Sequence, residues 1–176
     1  MLKTIGLMLA AAIILLLAYA ATRPDSFSVQ RSVTINAAPD KLLPLLTDFH
    51  RWPEWSPWEK LDPTMKRTHS GAANGVGAIY EWDGNDKVGA GRMEVTGIQA
   101  PSKVSIKLDF MRPFKSQNTT EYALVSKGSA TEVTWTMFGP SPFISKLMGV
   151  FVSMDKMIGK DFEAGLANMK AVAEKP

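Results

Sequence analysis

Between residues 27 and 139, apolar and polar residues alternate in a series of short stretches, the period of strands with one buried face. The first stretch, "FSVQRSVTI", places four apolar residues on one face, interrupted there by Arg31. From residue 66 onward the alternation recurs between turn signals such as Gly84-Asn85-Asp86 and Lys127-Gly128. Strands that follow one another through short turns predict an antiparallel meander with one apolar and one polar face.

Between the first strand and the meander, the pattern changes to short helical pieces. The stretch "DKLLPLLTDF" predicts a helix that Pro44 should bend, shorten or split. Pro53 is expected to open one further turn, "PEWS", which Pro57 closes. Three tryptophans project from this bend at three-residue spacing: Trp52, Trp55 and Trp58.

The C-terminal part has apolar residues in steps of three and four, which define one face of a helix: positions 147, 151, 154, 158, 162, 166 and 169. A continuous helix from Phe143 to Ala173 would be about 45 Å long at the usual rise per residue. Gly149, Gly159 and Gly165 either weaken it locally or allow another element to approach closely. Such a helix must cover the apolar face of the sheet, so the pattern predicts an α+β domain.

The N-terminal segment is unlike the rest, because Ile5 to Ala21 is an uninterrupted apolar run. Residues 1–22 are therefore predicted to be a transmembrane anchor, at the short end of what crosses a bilayer. Lys3 favours a cytoplasmic N-terminus, with the following domain on the extracytoplasmic side. The alternative is a cleaved signal peptide, which would leave a secreted or periplasmic protein. Residues 23–26 are predicted to be a linker and residues 27–173 the domain.

Composition narrows the possible chemistry. The chain has no cysteine and only two histidines, His50 and His69, which argues against disulfides, thiolate catalysis and a metal site. The net charge is +3, with both signs mixed along the chain and no basic run that would bind nucleic acid. The sequence contains neither a serine nucleophile motif nor a glycine-rich phosphate loop that opens a helix, and no cofactor is predicted.

Acid–base catalysis would need ionisable groups on the apolar face of the sheet. The alternation instead places four glutamates on the opposite face: Glu81, Glu94, Glu121 and Glu132. A bulge would reverse the parity of a strand, in which case Arg92 and Glu94 are the pair that would face inward.

Three stretches resemble the START-like helix-grip superfamily, also called SRPBCC, and within it the polyketide cyclase/dehydrase branch. They are "DFHRWPEWSPW", the strand pair "GVGAIYEWDGN" and "VGAGRMEV", and "MDKMIGKDFEAGLANMK". The resemblance extends over residues 23–173 and implies a curved antiparallel sheet around a long C-terminal helix, with two short helices after the first strand. It also implies a hydrophobic ligand in many members and catalysis in some.

On such a fold, the space between sheet and helix is either filled by side chains or open to a ligand. Asn118 and Thr120 share the inward face and are candidates for orienting a ligand, although hydroxyl and amide groups paired at the end of the sheet are an equal alternative. The residues expected to contact a ligand are Trp55, Trp58, Tyr80, Trp82, Met93, Leu108, Phe110, Asn118, Thr120, Tyr122, Trp135, Met137, Phe151, Met154 and Ile158. The competing interpretation of the tryptophans is a structural plug, and of the methionines an ordinary core.

The leading hypothesis is a membrane-tethered START-like domain that binds a hydrophobic small molecule or lipid without transforming it. Residues 5–21 would hold it to the membrane. The first alternative is an enzyme of the polyketide cyclase or dehydratase type, and the second is a protein-interaction module on the same fold. A buried ionisable group with a shifted pKa would favour the enzyme, whereas a filled core with an exposed apolar patch would favour the interaction module.

Overall fold

A single antiparallel sheet of seven strands forms the body of the protein in a computed structural model that describes residues 2–175. The strands are β1 (Ser26–Ile35), β2 (Lys66–Gly71), β3 (Ala78–Asp83), β4 (Ala90–Gln99), β5 (Lys103–Arg112), β6 (Ser116–Lys127) and β7 (Ala130–Pro140). Their spatial order is β1-β7-β6-β5-β4-β3-β2, so β2 to β7 form the predicted meander and β1 returns to pair with its last strand. Two register shifts in β4, next to Gly91 and Gly97, are bulges of the kind that bend a sheet.

The helices are α1 (Leu2–Ala21), α2 (Pro39–Thr47), α3 (Phe143–Phe151) and α4 (Met154–Ala173), with two 3₁₀ helices, Phe49–Glu54 and Pro57–Lys60, between α2 and β2. This arrangement confirms the predicted α+β helix-grip architecture, with short helices after the first strand and a long C-terminal helix. Pro44 lies inside α2, which remains continuous and ends after nine residues.

The boundaries of the short turns differ from the prediction. Pro53 lies inside the first 3₁₀ helix instead of opening a turn, and Pro57 begins the second one instead of closing the first. The reason is local: the Asp48 side chain accepts a hydrogen bond from the His50 N–H and caps the first turn at Phe49. The fixed φ of proline is compatible with both positions.

The long C-terminal helix is α4, but its predicted start at Phe143 is wrong, because the chain breaks between α3 and α4. Val152 is extended (φ −140°, ψ 117°), and the Ser153 hydroxyl accepts a hydrogen bond from the Lys156 N–H to start α4. A β-branched residue followed by a good N-cap therefore overrides the apolar periodicity. As a result, Phe151 does not lie on the covered face and is 72% exposed.

Arg31, the charged residue in the apolar alternation of β1, ties the sheet to α4. Its guanidinium lies 2.7 Å from a carboxylate oxygen of Asp155 and 2.7 Å from one of Glu163. Gly159 makes room for it, since a Cβ at that position would lie 2.2 Å from Arg31 Nη2. The sequence left open whether this glycine weakens the helix or admits a neighbour, and the structure shows a neighbour.

α1 stands outside the domain core. Its Lys3–Ala21 segment is long and apolar enough to cross a membrane, a property that a signal sequence shares. Almost all of it is exposed, except that Ala20 is buried and Leu16 half-buried near its C-terminal end. α1 also contacts α3.

Candidate functional site

An apolar cavity of about 250 Å³ lies between the concave face of the sheet and α4. Its size is close to the lower end of the roughly 300–1,000 Å³ typical of small-molecule sites. Side chains from β3 to β7 form one wall, Ile158 and Phe162 of α4 form the other, and Trp52 and Trp58 of the 3₁₀ helices close one end.

Ten of the residues that the sequence assigned to ligand contact line this cavity. They are Trp58, Tyr80, Trp82, Met93, Leu108, Phe110, Thr120, Trp135, Met137 and Ile158. All of the strand residues among them lie on the inward face that the alternation predicts. Their role in binding remains a prediction.

The other five predicted contacts lie away from the cavity. Trp55 is fully buried and donates its indole N–H to the Leu45 carbonyl at 2.9 Å, so it is the structural plug of the end wall. Tyr122 lies behind Trp135 in the core, with 5.1 Å between the ring centroids. The last three have different surroundings. Asn118 packs against Gly139, and Met154 packs on the core. Phe151 faces outward.

Aromatic rings pack tightly against one another at the end of the cavity that Trp58 closes. Trp135 stacks on Phe162 with centroids 4.1 Å apart and meets Trp58 edge-on at 5.7 Å. Gly165 permits this packing, because a Cβ there would lie 2.8 Å from the Trp135 ring. The tryptophan-rich bend therefore contributes both a plug, Trp55, and cavity wall.

A buried polar cluster interrupts the apolar wall. Glu59 accepts a hydrogen bond from the Tyr80 hydroxyl at 2.6 Å and an ion-paired hydrogen bond from Arg67 Nε at 2.7 Å. Burial, reinforced by the hydrogen bond to Glu59, raises the pKa of Tyr80 well above its usual value, so the phenol stays neutral. The Glu59 hydrogen bond also raises the pKa of Arg67. Glu59 and Tyr80 both line the cavity and are its principal polar feature.

Glu59 and Arg67 were not among the site residues predicted from the sequence. Glu59 lies in a four-residue 3₁₀ helix between Trp58 and Lys60, where no periodicity distinguishes an inward from an outward side chain. Arg67 lies on the edge strand β2, whose residues are mostly exposed. The remaining wall residues that were not predicted are Trp52, Ser56, Met65, Asp86, Lys87, Val88, Gly89, Arg112, Pro113 and Phe162.

The mouth of the cavity lies between the β3–β4 loop and the β5–β6 loop, where the wall residues are exposed: Asp86, Lys87, Arg112 and Pro113. The β3–β4 loop is held in place from three sides. Asp62 accepts the Asn85 N–H at 2.8 Å, the Trp82 indole donates to the Val88 carbonyl at 3.0 Å, and Arg112 donates to the Gly84 carbonyl at 2.9 Å. The β3–β4 side of the mouth is therefore fixed by hydrogen bonds within the protein.

The candidate acid–base groups of the sheet face away from the cavity, as the alternation predicts. Arg92 pairs with Glu94 on the outer face at 2.8 Å, so the bulges in β4 do not turn this pair inward. His50 and His69 stack on each other outside the cavity with centroids 4.1 Å apart. Among residues 2–175, no group of three or more histidine, aspartate or glutamate side chains is placed to hold a metal ion.

The sequence profile of the family described as "Polyketide cyclase / dehydrase and lipid transport" matches residues 26–174. This chain belongs to that family. Among curated proteins, none matches the chain. The family assignment and the fold together support a START-like ligand-binding domain.

Solved structures share the fold of this polyketide cyclase/dehydrase and lipid transport domain at low sequence identity. Major latex-like protein 151 from Panax ginseng has a TM-score of 0.61 at 14% identity, covering 86% of this chain and 100% of that one. A protein from Chromobacterium violaceum has a TM-score of 0.59 at 10% identity, covering 88% and 100%. The di-domain ARO/CYC protein BexL has a TM-score of 0.61 at 12% identity, and the match covers 90% of this chain but 53% of BexL.

Proposed function

We propose that this protein is a membrane-tethered START-like domain that binds a hydrophobic small molecule or lipid without transforming it. The observation that carries the proposal is the cavity of about 250 Å³ between sheet and α4, with walls formed mainly by aromatic and aliphatic side chains. Ligand sites of this kind gain affinity from apolar burial and orientation from a few polar groups. The family description, which includes lipid transport, supports the same reading.

The polar cluster refines the ligand class. The Tyr80 hydroxyl donates its hydrogen to Glu59, which leaves the phenol oxygen able to accept a hydrogen bond. Thr120, also on the wall, offers a second hydroxyl. The favoured ligand is therefore a largely apolar molecule that carries at least one hydroxyl or N–H group.

A second candidate, an enzyme of the cyclase or dehydratase type, is favoured by one observation. Glu59, Tyr80 and Arg67 form a connected set of ionisable groups, two of which line the cavity. In such an enzyme, Tyr80 would exchange its proton with a substrate oxygen while Glu59 holds the phenol in place. Carrier function ranks first because Arg67 already balances the charge of Glu59 and the raised pKa of Tyr80 makes it a weak acid.

Native mass spectrometry of the full chain, extracted gently from membranes of its native host, tests the proposal. We expect a stoichiometric adduct with the mass of a hydrophobic metabolite or lipid, which denaturing spectra of the same sample release unchanged. A released molecule altered by the protein on incubation would favour the enzyme. A bare protein mass that also ignores libraries of lipids and aromatic compounds would refute the carrier. The intact mass simultaneously shows whether the anchor is retained or cleaved after Ala20.

A further inference from the structure

Helix α3 is apolar, yet the rest of the protein does not bury it. None of its nine residues is buried, and Ile144, Met148 and Phe151 are 60%, 46% and 72% exposed. These three residues follow one another in steps of four and three, so they lie on one face of the helix. We call this surface the docking face: Ile144, Met148 and Phe151, together with the exposed Val152 and Met157 that follow them in the sequence. A contiguous apolar surface of this kind marks an interaction site.

The position of α3 points to a membrane surface as the partner of the docking face. α3 contacts α1, whose covered residues among positions 3–21 are Leu16 and Ala20 near its C-terminal end, and Lys146 forms an ion pair with Asp25 in the segment between α1 and β1. The Ser141 N–H also donates to the Asp25 carbonyl at 2.7 Å. α3 is therefore fixed beside the point where the chain leaves the candidate membrane span, which is the level of a membrane surface.

The charges around the docking face fit anionic headgroups. Lys156 and Lys160 lie one turn apart on α4, on either side of Met157, and within residues 2–175 neither forms an ion pair. Of the two carboxylates next to these lysines in the sequence, Asp155 is paired with Arg31, and Asp161 is half-buried. Lysines beside exposed apolar side chains are typical of segments that lie in the interface of an anionic bilayer.

The mouth of the cavity lies at the same end of the sheet as the start of α3, because Ala90 pairs with Arg112 and Thr119 pairs with Phe138 in neighbouring strands. On the α4 side, the wall residue Ile158 directly follows the exposed Met157. On the opposite side, the rim residues Arg112 and Pro113 lie between two exposed apolar side chains, Met111 and Phe114. A membrane that receives the docking face would therefore lie close to both sides of the mouth.

We infer that α3 and the start of α4 insert shallowly into a bilayer that contains anionic lipids, so that ligand passes between the bilayer and the cavity at the membrane surface. This inference rests on the proposed function, because it assigns a docking partner and an entry route to the same cavity. A second copy of the chain, or another protein, is the competing occupant of the docking face.

The chain has no cysteine, so single nitroxide labels report on depth without further changes. The full-length variants Met148→Cys and Phe151→Cys are labelled and reconstituted in phosphatidylcholine vesicles containing phosphatidylglycerol. The matched control is Ser129→Cys, in the turn between β6 and β7 at the opposite end of β7 from α3. We expect the labels on α3 to be several-fold more accessible to oxygen than to a water-soluble nickel complex, and the control label to show the reverse.

Two results would overturn the inference. A Phe151→Cys label that is as open to nickel as the control would show that the face lies in water. A label shielded from both reagents would show that protein covers the face. Charge is tested with Lys156→Gln and Lys160→Gln together, which should make the labels shallower; unchanged depth would refute the role assigned to these lysines.

The proposed function is measured separately on the same preparations. Alkaline extraction reports whether α1 holds the chain in the membrane, and native mass spectrometry reports the ligand. If the adduct is retained while the Phe151→Cys label is exposed to water, docking is refuted and the carrier function stands. A deep label without any adduct refutes the carrier and leaves docking standing.

Discussion

Two buried tyrosines of the sheet differ in how their hydroxyl groups are satisfied. Tyr80 donates to Glu59 at 2.6 Å, whereas the Tyr122 hydroxyl has no hydrogen-bond partner among the described residues. Burial raises the pKa of both phenols, so both are neutral at ordinary pH. The two residues face the same side of the sheet, but Tyr80 lines the cavity and Tyr122 lies in the core.

Replacing each tyrosine by phenylalanine should therefore give opposite results. Tyr80→Phe removes a hydrogen bond to a charged acceptor and should lower the free energy of unfolding by about 1.5–3 kcal/mol. Tyr122→Phe removes a buried hydroxyl that has no partner and should be neutral or slightly stabilising. Urea unfolding measures both, and unchanged m-values would show that the native and denatured states remain comparable. An equal loss at Tyr122 would mean that its hydroxyl is hydrogen-bonded after all.

At this scale, the sequence predicts which strand residues face inward but not which groups pair. Strand alternation has a period of two, so Tyr80, Trp135 and Met137 were placed on the inward face without tertiary information. Glu59 had no such period to place it, and its partner Arg67 is brought to it by folding. The sequence context did not distinguish Trp55 from Trp58. In the structure, Trp55 is the one that donates its indole N–H to the Leu45 carbonyl and packs as the plug.

At the scale of elements, Gly165 of α4 and Gly149 of α3 differ in how closely other parts of the chain approach them. A Cβ on Gly165 would lie 2.8 Å from the Trp135 ring and 3.2 Å from Pro57, whereas a Cβ on Gly149 would meet nothing within 4 Å. Gly165 thus lets α4 approach the end wall of the cavity, and Gly149 has no packing role within the chain.

The alanine variants at these glycines form a matched pair. Gly165→Ala should lower the free energy of unfolding by about 1–3 kcal/mol, because the added methyl overpacks against a rigid indole. Gly149→Ala should raise it by about 0.5–1 kcal/mol, the gain of alanine over glycine inside a helix. Chemical denaturation of the two variants beside the wild type measures the difference. A stabilising Gly165→Ala would show that α4 is able to move away from Trp135.

The break between α3 and α4 shows where element prediction fails. Apolar residues continue in steps of three and four through positions 147, 151 and 154, so periodicity alone predicts one helix. The break depends on the Ser153 cap and on Val152 adopting an extended conformation, which are local signals weaker than the periodic one. The break also reorients α3, and that reorientation turns Phe151 from a predicted pocket residue into an exposed one.

At the scale of the whole molecule, the candidate membrane span and the cavity are formed by different parts of the fold. β3 to β7 and α4 build the main walls of the cavity, while α1 and α3 contribute no wall residue. The overall order of elements, the anchor candidate and the inward faces of the strands were predictable from pattern and resemblance. The cavity itself was not, because its volume is the difference between the space enclosed by the curved sheet and the side chains that fill it.

Filling the cavity tests whether that volume serves a ligand. Leu108→Trp projects extra bulk from β5 into the cavity, so we expect the free energy of unfolding without ligand to fall by no more than about 1–3 kcal/mol, the usual cost of added core bulk. A hydrophobic ligand at one hundred times its Kd stabilises the wild type by about 2.7 kcal/mol, and the variant should lose this gain. Val125→Trp, on an exposed site of β6, is the size-matched control and should keep it. Denaturation with and without a fluorescent fatty-acid analogue measures both.

If the indole strains the sheet, the smaller Leu108→Phe gives the same comparison. Full ligand stabilisation in a folded cavity-filled variant would place the ligand elsewhere on the protein.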